Sequence, residues 1–262
     1  MDTLKRARTP DDKWEPDSPE RLLVAANVSH EYAMGREILP VLSDVSITVA
    51  RSRFAAVIGP SGSGKSTLLA LIAGLEQPSR GTIHVEGSSQ RLGRVGYMPQ
   101  RDLLHPWLDT LSNASVGIEV RGVPRAEARA AAAALLLQFG LAGFEHARPH
   151  ELSGGMRQRV ALARTILAAG NLVLLDEPFG ALDALTRLHM QRWLMETWPS
   201  LGRTGLMVTH DVDEALLLAD DIFVLSARPG RLVAHVRVPF ERPRSPALPA
   251  LQAFASLKLR LL

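Results

Sequence analysis

Between residues 54 and 73 the chain leaves a short apolar run and passes through Gly59-Pro60-Ser61-Gly62-Ser63-Gly64-Lys65-Ser66-Thr67. It then enters Leu68-Leu69-Ala70-Leu71-Ile72-Ala73 directly. The nine residues match G-x-x-x-x-G-K-[ST] at Gly59, Gly64, Lys65 and Ser66, in the strand–loop–helix setting that gives this pattern its meaning. Glycines, having no Cβ, let the backbone turn its N–H groups inward. Those N–H groups and the positive end of the following helix make a concave anion site. In such a loop Lys65 reaches the β- and γ-phosphates of a nucleotide, Ser66 offers its hydroxyl to Mg²⁺, and Thr67 helps hold the α-phosphate.

A phosphate loop needs a sheet to launch from, and the chain supplies one. Unbroken apolar runs at Ala55–Ile58, Leu172–Leu175, Leu206–Val208 and Ile222–Leu225 suit parallel strands buried on both faces. Helical segments between them, at about 65–73, 155–169, 184–198 and 211–219, complete a strand–helix alternation that predicts an α/β fold. Residues 21–29, 41–50 and 82–86 alternate in the manner of antiparallel strands. Residues 102–164 read as helix after helix, with Ala126–Phe139 almost all strong helix formers, so they are expected to be a helical insertion. Charge and proline dominate residues 1–20, which predicts a mobile tail. Pro-rich 239–249 leads to an amphipathic stretch, Leu248–Leu262, in a C-terminal tail over 241–262; this stretch either packs on the domain or touches a partner, and packing is expected.

Leu172-Val173-Leu174-Leu175-Asp176-Glu177 places two carboxylates where a buried strand ends. Ligands of open α/β sheets bind at that edge. Asp176 is the candidate for Mg²⁺, and Glu177 for polarising the water that attacks a γ-phosphate. The absence of cysteine excludes disulfides and thiolate chemistry. The 30 cations and 27 acids leave a net charge of +3. No run of five cations occurs, so a nucleic-acid partner is not expected. The opening residues contain no apolar signal segment, and no stretch of about 20 residues is continuously apolar. His146 and His150 are separated by Pro149, which breaks helical i,i+4 spacing, so a metal site is not expected there.

Leu152-Ser153-Gly154-Gly155-Met156-Arg157-Gln158-Arg159, taken with the phosphate loop and Leu175-Asp176-Glu177-Pro178, resembles the ATP-binding subunit of an ABC transporter. The resemblance covers roughly residues 21–240. It implies a P-loop NTPase core sheet with an antiparallel β subdomain and an inserted helical subdomain. It also implies roles. Tyr32 would stack on adenine, Gln100 would link Mg²⁺ and the attacking water to a membrane partner, and His210 would contact the γ-phosphate. Asp183, in Ala181-Leu182-Asp183, would cross to a second subunit. Ser153, Gly154 and Gly155 would form a second anion site that closes over ATP held by the other copy. The implied assembly is a homodimer around two ATP molecules, bound to integral membrane permease subunits. An extracytoplasmic solute-binding protein would be an indirect partner. The implied place is peripheral, on the cytoplasmic face of the inner membrane.

Position 156 is Met where the common signature has Gln. The form LSGGM-R-Q-R is similar to the nitrate, sulfonate and taurine importers and to importers of pyrimidine precursors of thiamine. Leu104-His105-Pro106-Trp107-Leu108 and His210-Asp211-Val212-Asp213-Glu214-Ala215 share that similarity. In the family a short helix of the membrane subunit docks near Trp107; the alternative is that Trp107 fills the core of the helical insertion. A soluble ABC ATPase not coupled to transport is the competing reading. It is disfavoured because such proteins usually carry tandem cassettes or long coiled-coil insertions.

Overall fold

A computed structural model describes residues 20–261 apart from 36, 181, 243 and 246. The predicted N-terminal tail, save Glu20, therefore lies outside the described residues, as does Ala181. Nine strands and seven α-helices are described, in two sheets.

The larger sheet has the order β5-β6-β7-β3-β8-β9. Its strands are β3 (Phe54–Ile58), β5 (Gly96–Met98), β6 (Leu172–Asp176), β7 (Thr204–Thr209), β8 (Asp221–Leu225) and β9 (Leu232–Arg237). All pair in parallel except β9, which runs antiparallel to β8. The apolar runs behave as predicted, and alternation along each strand shows why they had to be unbroken. Phe54, Ala56, Ile58, Val173, Leu175, Met207 and Ile222 face one core. Ala55, Val57, Leu172, Leu174, Leu206, Val208, Phe223 and Leu225 face the other. A strand covered on both faces cannot place a polar residue at either phase of its period-2 repeat.

The second core lies between the two sheets. Helix α1 (Lys65–Ala73) is enclosed there, with Leu68, Leu69, Leu71 and Ile72 fully buried. The smaller antiparallel sheet, order β2-β1-β4, covers it with β1 (Arg21–Met34), β2 (Glu37–Ala50) and β4 (Arg80–Val85). β1 and β2 run longer than the apolar pattern indicates. Their far ends reach beyond the core into solvent, where Met34 and Ile38 are exposed, and alternation there no longer reports burial.

The first core is covered by helices. α2 (Thr110–Val120) and α3 (Arg125–Gln138) form the helical insertion, and 102–164 contains no strand. α4 (Gly154–Ala168) packs on both of them and on β5, so it joins the insertion to the sheet. α5 (Ala184–Thr197) and α6 (Val212–Leu218) follow β6 and β7. The C-terminal α7 (Gln252–Leu261) buries Phe254 and Leu257 in this core and packs on α6. Lys258 of α7 holds Asp213 at the start of α6 with a 2.7 Å ion pair.

Two strands were not foreseen. β9 is a half-buried edge strand whose exposed positions are Val233, His235 and Arg237, and β5 has only three residues. β5 depends on Gly96: a Cβ there would lie 2.5 Å from the Thr165 carbonyl oxygen and 2.6 Å from Ala169 Cβ. Gly96→Val should therefore push α4 off the sheet and cost about 2–3 kcal/mol, read as a lower midpoint in urea unfolding.

Candidate functional site

Because β3, β6, β7 and β8 are parallel, their C-terminal ends share one edge of the sheet. The edge collects the phosphate loop after β3, Asp176 and Glu177 at the end of β6, and His210 after β7. It forms a cleft of about 340 Å³, lined among others by Tyr32, Gly62, Lys65, Ser66, Thr67 and Glu177.

The loop has the conformation its glycines permit. Gly62 and Gly64 adopt positive φ of 78° and 93°. A Cβ on Gly64 would meet Leu42 Cδ2 at 2.7 Å, so the loop also needs glycine in order to lie against β2. Lys65 is buried, and its Nζ donates to the carbonyls of Gly59 (2.9 Å) and Pro60 (3.1 Å). Burial pulls its pKa below the usual lysine value, while Glu177 and Asp176 nearby act to hold the proton on.

Ser66 Oγ donates to Asp176 Oδ1 at 2.9 Å, which joins the start of α1 to the end of β6. Asp176 is buried, and desolvation raises its pKa against the hydroxyl bond from Ser66. Tyr97 of β5 donates to the other Asp176 oxygen at 3.4 Å; burial and Asp176 push its phenol up to about 12. The sequence reading missed Tyr97, although it sits three residues before Gln100 in Tyr97-Met98-Pro99-Gln100.

Glu177 turns out of the strand with φ 43° and anchors its N–H on the Val208 carbonyl at 3.0 Å. Its Oε2 is faced by Gln100 Nε2 at 3.3 Å and by His210 Nδ1 at 3.4 Å. Two residues far apart in sequence thus converge on one oxygen of the Glu177 carboxylate. His210 is placed by a buried network behind it. Thr209 Oγ1 donates to Glu214 Oε2 (2.6 Å), and Gln191 Nε2 of α5 donates to Glu214 Oε1 (3.0 Å). Asp211 caps α6 by accepting from the Asp213 and Glu214 amides. In the sequence Glu214 stands only as one residue of the run His210–Ala215. Its role in holding the His210 turn is visible only in three dimensions.

Tyr32 lines the cleft from β1. Its hydroxyl donates to Glu76 Oε2 at 2.8 Å, and its ring packs edge-on to His30 with centroids 4.7 Å apart. Arg228, in the loop between β8 and β9, also lines the cleft and was not anticipated.

Ser153, Gly154 and Gly155 stand apart from this cleft. Ser153 caps α4 by accepting from the Met156 amide at 3.3 Å, and both Ser153 and Gly154 are exposed. Gly155 is buried where a Cβ would meet Thr186 Cγ2 at 2.7 Å. Gly154 lines a second cleft with Gln100, Asp102, Arg157, Gly180 and Leu182, and neither it nor Ser153 lines the one at Lys65. Asp183 caps α5 by accepting from the Thr186 amide at 3.0 Å. Gln158 of α4 donates to the Pro178 carbonyl, one residue past Glu177, and so ties the two regions together.

A phosphate loop, a carboxylate pair on the adjoining strand end and a separate Ser-Gly-Gly helix start on an inserted helical layer define an ATP-binding cassette of the P-loop ATPase class. The ABC transporter family model matches residues 42–180, and the chain belongs to that family. The formylaminopyrimidine import ATP-binding protein ThiZ of Halalkalibacterium halodurans is 44% identical over 220 residues, spanning 84% of this chain and 86% of the relative. The taurine import ATP-binding protein TauB of Burkholderia pseudomallei is 44% identical over 222 residues, spanning 84% and 85%. Among solved structures, the dimeric ATP-binding cassette MJ0796 in a post-hydrolysis state with ADP and Pi superposes with a TM-score of 0.73. It is 28% identical, with 84% of this chain and all of that one covered.

Proposed function

We propose that this ATPase works as a homodimer that closes around two ATP molecules and powers import of a small solute through integral membrane partner subunits. The solute is of the nitrate, sulfonate and taurine kind or of the pyrimidine-precursor kind. A solute-binding protein outside the membrane selects it and meets this chain only indirectly. The chain sits peripherally at the cytoplasmic face of the inner membrane; among the described residues no helix is long and apolar enough to cross a bilayer.

One observation carries the reading: the chain presents two anion sites that do not meet within it. The Lys65 cleft offers phosphate-binding groups, and the helix start at Ser153–Gly155, where Ser153 and Gly154 are exposed, offers more of them outside that cleft. Head-to-tail pairing of two copies brings Ser153 of one over ATP bound at Lys65 of the other; that the similar cassette MJ0796 is dimeric supports pairing of two copies.

The chain's residues fit a hard divalent cation. The Ser66 hydroxyl and the Asp176 carboxylate lie 2.9 Å apart, and Gln100 is placed at the same edge through Glu177. Among the described residues no group of three acidic, His or Cys ligands is found. One hydroxyl and one carboxylate suit Mg²⁺, which is held by few protein oxygens together with phosphates and water. Neutralisation of charge on the β- and γ-phosphate oxygens is the chemistry Mg²⁺ supplies when bound.

Lys65 exchanges its loop carbonyls for the β- and γ-phosphates. Tyr32 carries the base. Glu177, oriented by Gln100 and His210, polarises the water that attacks in line, and His210 holds the γ-phosphate. When the γ-phosphate leaves, the bridge between the copies is lost and the pair opens. The membrane subunits alternate their access as it does so.

Trp107 marks where they dock. It is 68% exposed, so it does not fill the helical insertion, and Leu103 beside it is 58% exposed. An exposed aromatic in an apolar cluster is the usual anchor of a protein interface. Light scattering of the purified chain with ATP under non-hydrolysing conditions should register a dimer. Its membrane partner should co-purify with it, and Trp107→Ala should cut that yield at least fivefold. A chain that stays monomeric with ATP, even beside its membrane partners, would exclude the mechanism.

A further inference from the structure

The loop between β8 and β9, residues 226–231, is clamped onto the phosphate loop. β8 pairs with β3, so Leu225 ends beside Gly59, and a Cβ on Gly59 would lie 2.8 Å from the Leu225 carbonyl oxygen. Five residues on from Leu225, a Cβ on Gly230 would lie 2.1 Å from the Ser63 carbonyl oxygen. Only glycine lets the two backbones touch there. Gly230 is fixed from the other side as well: its N–H donates to Val41 O at 2.8 Å, and its carbonyl accepts from Ser43 N at 2.9 Å. Ser226 closes the loop internally, accepting from Arg231 N at 3.0 Å.

Arg228 projects from this clamped loop. It is exposed and lines the nucleotide cleft together with Lys65 and Val41. Among the described residues no carboxylate or carbonyl engages its guanidinium. Its state contrasts with that of the other arginines tied to the fold, such as Arg91, Arg159, Arg164 and Arg244, each bonded to main-chain carbonyls. A cation without a partner, on a rigid loop at the rim of an anion cleft, is placed for a ligand anion. The planar guanidinium matches phosphate oxygens in a bidentate fashion.

We propose that Arg228 is a second cationic contact for the nucleotide, binding its polyphosphate from the β8–β9 loop while Lys65 binds it from α1. The inference rests on the reading that this cleft takes ATP, and it adds to that reading a residue outside the phosphate loop and the signature. The rigid clamp makes the contact preorganised, so binding orders one side chain and no backbone.

Calorimetric titration of the full chain with ATP, ADP and adenosine tests it. Arg228→Ala should weaken ATP and ADP about tenfold to thirtyfold and adenosine hardly at all, with KM for ATP rising by the same factor. Arg228→Lys should recover part of the loss, since it keeps the charge without the planar fork. The salt dependence of ATP binding should become shallower in Arg228→Ala. Thermal melting without nucleotide should match the unsubstituted chain, because Arg228 makes no contact that the fold needs. An unchanged ATP affinity in Arg228→Ala would overturn the proposal while leaving the ATPase reading intact. A loss shared in full by adenosine would place the guanidinium on the base or sugar and overturn the phosphate assignment. Failure of the unsubstituted chain to bind ATP would remove both readings together.

Discussion

Glu177→Gln should lower ATP turnover by about 10²–10⁴-fold and leave ATP bound in a closed dimer. The substitution is isosteric, and the amide carbonyl can still accept from Gln100 Nε2 and from His210 Nδ1, which now face Oε2 at 3.3 and 3.4 Å. The main-chain bond from Glu177 N to Val208 is untouched, so the turn at φ 43° persists. Nothing that binds phosphate changes, because Lys65, Ser66 and the loop amides remain. The variant loses only the ability to draw a proton from the attacking water. Binding without cleavage keeps the γ-phosphate as the bridge between copies, so the dimer should persist on a sizing column in ordinary ATP. Single-turnover release of phosphate measures the chemical step directly. A normal rate would mean that another group acts as the base, and the convergence of Gln100 and His210 on Glu177 would then need a different explanation.

The residues that carry the chemistry were legible because their roles demand particular side chains at particular spacings. A loop that wraps phosphate must contain glycine at fixed intervals, and a strand covered on both faces must be apolar throughout. Gly59–Thr67 and Leu172–Glu177 therefore announced both a local shape and a place at the sheet edge. The separation of Ser153–Gly155 from the phosphate cleft was implied by the family resemblance rather than by any pattern in the residues. What stayed hidden depends on packing. β5 is three residues long, and its existence is set by how closely Gly96 lets α4 approach. β9 alternates between half-buried and exposed positions and carries His235, which stacks on Phe223 and bonds Asp221. In the sequence His235 and Arg237 interrupt its apolar residues, so it lacks the unbroken run that marks the buried parallel strands. Arg228 had a weak signal: a cation in a Pro-Gly turn just past a buried parallel strand, at the edge where ligands bind. Its meaning emerges once Gly230 is seen against Ser63.

The same logic makes Lys65 the most sensitive position for binding. Lys65→Ala should weaken ATP affinity about a hundredfold, corresponding to roughly 3 kcal/mol for a charged hydrogen-bonding group. The ammonium is buried and donates to the Gly59 and Pro60 carbonyls, so it is already held at the loop when phosphate arrives and exchanges those carbonyls for phosphate oxygens. Its charge also offsets two acids at the same edge. Lys65 helps hold down the pKa of Asp176, which burial raises, and both Asp176 and Glu177 favour the protonated lysine. Removing it leaves the incoming triphosphate to face those carboxylates with one cation fewer. Lys65→Arg should not restore binding, because a guanidinium is too broad for a niche where the side chain is only 6% exposed. AMP, which lacks the β- and γ-phosphates, should lose far less affinity than ATP. Titration of both nucleotides separates the outcomes: equal losses would mean a collapsed loop, and an ATP-selective loss identifies the ammonium as the phosphate contact. Unchanged ATP binding would contradict the assignment of the loop itself.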